Sequence, residues 1–130
     1  MTPDEAPTRV SIAAGPLVGP VLRRVVGMFA ARADLPLDRL DDAVLVADLV
    51  AARASAHVAA DTIDVALASS PRSLDLRVGP LRAGGGRALV VEAAVPGVGN
   101  VIEQLSDALD VKTEGEQEFL LVRLAYAGSD

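Results

Sequence analysis

At 130 residues, 51% of them apolar and only 2% aromatic, the chain suits one domain whose core is built from Ala, Val, Leu and Ile. A formal net charge of -6 excludes the basic face that a nucleic-acid binder needs, and the lack of cysteine with a single histidine excludes a disulfide framework and a structural zinc site. No apolar run reaches the roughly 18 residues of a membrane span, and the acidic start MTPDEAPT lacks the pattern of a secretion signal, so a cytoplasmic protein is expected.

Residues 1–8 read as a tail, 9–126 as a single domain and 127–130 as a second tail. Arg9 to Ala14 alternates Val10 and Ile12 with polar or small residues, which predicts a strand. Gly15 and Pro16 end it. Leu17, Val18, Val21, Leu22, Val25, Val26 and Phe29 then recur at helical spacing up to about Ala33, with Arg23, Arg24 and Arg32 on the other face. A second helix is expected from Asp38, as its cap, to about Ala56. Its buried stripe would run through Leu40, Val44, Ala47 and Ala51, and Asp41 and Asp42 suit its positive end.

Ile63, Val65 and Leu67 share one face of a strand, and Leu74, Leu76 and Val78 share one face of the next. Ser69-Ser70-Pro71-Arg72 between them predicts a hairpin turn. Residues 79–96 read as a glycine-rich loop carrying a short helix. Val98, Val101, Ile102, Leu105 and Leu109 predict an amphipathic helix, entered through Gly97 and Gly99. Asp110 to Glu114 and Phe119 to Ala125 complete a second hairpin around Gly115. The order β-α-α-β-β-loop-α-β-β predicts an α+β fold, a two-layer sandwich of one mixed β-sheet with helices on one face.

Three stretches carry a family resemblance: LDRLDDAVLVADLVAA, LDLRVGP and PGVGNVIEQLSDALDV. In pattern and order over residues 9 to 125 the chain resembles the histidine-kinase-like (GHKL) ATPase fold, and within it the bacterial anti-sigma-factor serine kinases. The resemblance implies ATP and Mg²⁺ as cofactors. It also implies a sigma factor or an anti-sigma-factor antagonist as partner, and a homodimer formed through an edge strand or the first helix. It places the catalytic carboxylate on Asp48, the phosphate-binding glycines on Gly84, Gly97 and Gly99, and a protein interface on the first helix, with Arg23 and Arg24.

The chain departs from that family where the nucleotide is held. Ala52 stands where an Asn holds Mg²⁺, Pro80 near the Asp that reads adenine, and Arg82 at a box glycine. Asn100 stands where an apolar residue is usual. Each lost directional contact is worth a few kcal/mol. The expectation is therefore a regulatory protein-binding module with a degraded ATP site and no tightly bound cofactor. The alternative is an active ATP-dependent serine kinase with Asp48 as base. A third reading, a purely structural or interaction protein that only shares the architecture, expects the space between the second helix and the glycine loop to be filled by Val, Leu or Arg side chains, Arg82 foremost. Without the resemblance, Gly97 and Gly99 read as a tight helix start, Gly84 to Gly86 as a plain loop, Asp48 as a solvated acid and His57 as a helix-end residue.

Overall fold

The computed structural model describes residues 7–126. The tails expected at 1–8 and 127–130 lie outside the described residues except for Pro7 and Thr8, and Thr8 already pairs with Leu67. β1 (Thr8–Ala13) leads into α1 (Val18–Arg32) and α2 (Leu37–His57), then the hairpin β2 (Thr62–Ser70) and β3 (Ser73–Arg82). There follow α3 (Gly85–Glu92), a small pair β4 (Ala94–Val95) and β5 (Gly99–Asn100), α4 (Val101–Leu105), and the hairpin β6 (Ala108–Glu114) and β7 (Gln117–Ala125).

Alternation along the strands separates the two faces of the sheet. Ile63, Val65 and Leu67 are buried with Leu74, Leu76 and Val78 and with Leu120, Val122 and Leu124. Every second residue thus turns toward the helices. The sheet order is β1-β2-β3-β7-β6. With the helices packed on that inner face, the fold is an α+β two-layer sandwich. The expected mixed sheet is not found: all its pairings are antiparallel. The chain crosses to the far edge before starting β6, so β7 returns into the place beside β3 and runs against it.

α1 buries Val18, Leu22, Val26 and Ala30, four residues apart. α2 buries Ala43, Val46, Ala47, Val50, Ala51 and Ala54. This stripe is turned from the expected one, leaving Leu40 and Val44 half-buried, and its alanines let neighbouring elements approach closely. Asp38 lies inside the first turn of α2 and does not cap it; Pro36 precedes the helix without a side-chain cap.

The helix expected from Val98 to Leu109 shortens to Val101–Leu105. Asp107 ends it, because its carboxylate accepts the backbone N–H of Ala125 at 2.7 Å and draws the chain into the sheet. Leu109 then pairs with Val122 as part of β6. No helix among the described residues is long and apolar enough to cross a membrane.

Candidate functional site

The glycine run 84–86 forms the mouth of α3. Gly84 takes a left-handed backbone with φ of 79°, which glycine adopts without steric cost. The first N–H groups of a helix point outward unpaired and attract anions. Here the chain supplies the anion itself: the Glu118 carboxylate accepts from Gly84 N at 2.8 Å and from Gly86 N at 3.0 Å. Packing explains the other two glycines. A Cβ on Gly86 would come within 2.9 Å of Val111, and one on Gly85 within 3.2 Å of His57.

α3 therefore sits directly on the end of α2, with Leu89 and Val90 buried. Arg82 is not buried between α2 and the glycine loop. Its exposed side chain donates to the Ala56 carbonyl in the last turn of α2, where helix carbonyls lack intrahelical partners. His57, at the same helix end, meets Glu92 at 2.9 Å. Near Pro80, Gly79 leaves no room for a side chain, since a Cβ there would lie 2.5 Å from the Phe119 ring.

Gly97 and Gly99 have φ of 81° and 98°; Gly97 lies in the turn between β4 and β5, and Gly99 opens β5 opposite Val95. The helix they precede is closed by its own side chains. Asn100 Oδ1 accepts from Glu103 N at 3.1 Å, while its amide donates to the Val90 carbonyl at 2.7 Å. This is an N-cap, the use that Asn serves best at a helix start. The Gln104 amide donates to the Val98 carbonyl at 3.0 Å.

Asp48 belongs to another part of the molecule. It faces α1 and meets Arg23 at 3.5 Å. Asp48, Arg23 and Arg24 line a groove of about 770 Å³ between α1 and α2, with Gly27, Met28 and Leu45. No glycine of 84–86 or 97–99 lines it. Met28 is 61% and Leu45 43% exposed, so the groove carries apolar surface between its charges. The structure thus brings Asp48, Arg23 and Arg24 together, keeps Gly97 and Gly99 at a separate helix mouth, and gives Gly84 to Glu118. Ala52 is exposed, without a side-chain oxygen for a metal.

Two residues that organise the molecule escaped the sequence reading. Glu118 is one. Arg39 is the other: it donates to the Ala125 carbonyl at 2.9 Å, to Asp42 at 2.9 Å, to Asp107 at 2.6 Å and to the Leu105 carbonyl at 3.3 Å. It ties the start of α2 to the end of α4 and to β7. Glu118 carries no local signal, and of Arg39's partners only Asp42, three residues along the helix, is local; the others meet it through the fold.

No group of three or more His, Cys, Asp or Glu residues fit to hold a metal occurs among the described residues. No protein-family model matches the chain, and no curated protein matches it.

Proposed function

We propose that the chain is a regulatory protein-binding module of the anti-sigma-factor type with a degraded ATP site. In this reading it works in the cytoplasm by holding a sigma factor or an antagonist protein against α1 and α2. One observation carries the loss of nucleotide binding. The Glu118 carboxylate sits on the N–H groups of Gly84 and Gly86, where a phosphate would otherwise be drawn. A nucleotide phosphate would have to displace that carboxylate and tolerate its charge close by, with no metal ligand at Ala52 to offset the repulsion.

The α1–α2 groove supports the binding half of the reading. Exposed Met28 and Leu45 offer apolar contact, and Arg23 and Arg24 beside Asp41 and Asp48 offer charge of both signs. Exposed apolar surface rimmed by charge is the usual make-up of a protein contact. The kinase alternative needs Asp48 beside the phosphates, yet Asp48 lines the groove with Arg23.

Fluorescence anisotropy with labelled candidate sigma factors and antagonists tests the reading, with and without Mg–ATP. Binding should be the same in both conditions. It should weaken by about tenfold or more in Met28→Asp, since buried apolar anchors dominate such contacts. Binding that requires Mg–ATP, together with phosphate transfer to a partner serine that Asp48→Ala abolishes, would instead establish the kinase.

A further inference from the structure

Ala66 and Ala68 leave a furrow on the face of the sheet turned away from the helices. They follow each other on that face of β2, and both are half-buried. Strand register sets Arg9 of β1 and Arg77 of β3 on either side of Ala66. A single methyl group thus stands between two arginines. Two cavities meet at this point, and Arg9, Ala66 and Arg77 line both. One, of about 380 Å³, runs on over Ala68, with Pro7 and Leu121 in its wall. The other, of about 220 Å³, runs past Ser11 and Asp64 to the Phe119 ring.

The two arginines are held in different ways. Arg77 lies over the Phe119 ring at 4.2 Å and meets Glu114 at 2.7 Å, which fixes its guanidinium in place. Its Nε–H is nonetheless buried with no acceptor among the described residues. Arg9 makes no ion pair among the described residues. Elsewhere on this face the charges are spoken for: Arg123 meets Asp75 at 2.7 Å, and Asp64 accepts the Ser11 hydroxyl at 2.6 Å. An unpaired guanidinium beside a buried N–H without an acceptor is short of one anion.

We propose that this furrow binds an amphiphilic carboxylate, its head over Ala66 between Arg9 and Arg77 and its straight acyl chain over Ala68 toward Leu121. The planar guanidinium fork suits a carboxylate head. Asp64 lies two residues along β2 on the same face, roughly 7 Å away, and opposes a doubly charged head such as phosphate. Asp110, whose carboxylate meets only the Val111 N–H at 2.8 Å, lies three strands from Ala66. That is roughly 14 Å, beyond the Debye length in ordinary salt, so it hardly repels the head. The alanines, Pro7 and Leu121 supply apolar lining for the chain. A cavity of this size falls within the range of small-ligand sites, which begins at about 300 Å³.

The furrow lies on the opposite side of the sheet from α1 and α2. The carboxylate site and the partner-binding reading therefore stand or fall separately.

Titration of the ¹⁵N-labelled full chain with sodium decanoate, followed by amide chemical shifts, tests the proposal. The shifts should saturate with a dissociation constant of roughly 1 mM and concentrate at Arg9, Ala66, Ala68 and Arg77. Acetate carries the head without the chain, and decylammonium carries the chain with the opposite charge. Each should bind at least about tenfold more weakly. Arg9→Gln removes one charge-assisted contact and should weaken decanoate by about tenfold. Ala66→Leu fills the furrow and should abolish the saturable shifts, with circular dichroism to show that both variants are folded. Shifts that never saturate, or that concentrate on α1 and α2, overturn the proposal. So does decylammonium binding as tightly as decanoate, or decanoate binding that neither variant weakens.

Discussion

Glu118 and Asp48 are both carboxylates beside groups that attract anions, and the fold treats them differently. Glu118 is held by two backbone N–H groups at 2.8 and 3.0 Å, in a part of the chain where α2, α3 and β6 close on one another. Asp48 meets a single guanidinium at 3.5 Å, and that Arg23 side chain is 65% exposed. Around Glu118 the glycines are there because neighbouring atoms leave no room or because a left-handed turn requires them. Around Asp48, charges and apolar side chains face solvent. A donor set filled by the chain itself serves the architecture, whereas an exposed apolar surface with loosely paired charges is free to meet something else.

Substitutions can sharpen that contrast, and the largest effect should come from Arg39. Its side chain is only 18% exposed and joins three elements. Arg39→Ala leaves carboxylates and carbonyls without their donor and should lower unfolding stability by about 3 kcal/mol, read from urea unfolding with an unchanged slope. Glu118→Ala strips the acceptor from the α3 mouth and should cost about 2 kcal/mol in the same assay. An unchanged midpoint for Glu118→Ala would mean that water serves those N–H groups as well as the carboxylate does, which would break the contrast. At the second helix mouth, Asn100→Ala removes one cap and should cost about 1 kcal/mol. The smallest effect belongs to the groove. Asp48→Ala should change stability by less than about 0.5 kcal/mol, because an exposed ion pair contributes little.

Much of the fold was legible because it is written in short periods. Alternation at Ile63, Val65 and Leu67 and at Leu74, Leu76 and Val78 marked the central hairpin, and β2 and β3 pair there in register. The four-residue recurrence from Val18 to Val26 marked α1. What stayed hidden depends on distant partners. Leu109 fits a helical stripe beside Leu105 on spacing alone, yet Asp107 binds Ala125 and turns the chain into β6. The stripe on α2 could not be fixed, since an alanine-rich helix offers small residues on several faces and tertiary packing chooses among them. The antiparallel sheet likewise turns on which strand of the second hairpin meets β3.

The site residues were legible as positions but not as roles. Gly84, Gly97 and Gly99 all stand where a turn or helix mouth demands them, each with a positive φ. Gly-x-Gly before a helix reads the same in sequence whether the mouth is open or capped. The difference lies in Asn100, whose side chain turns back on Glu103, and in Glu118, which reaches Gly84 across 34 positions of sequence. Arg23 and Arg24 were correctly placed on an exposed face of α1, where spacing alone separates a polar face from a buried one.

Titration calorimetry with Mg–ATP and Mg–ADP up to millimolar concentration tests the central claim most directly. If Glu118 and Asn100 close the two helix mouths to nucleotide, neither titration gives a saturable heat. A saturable isotherm with a micromolar dissociation constant would contradict that account.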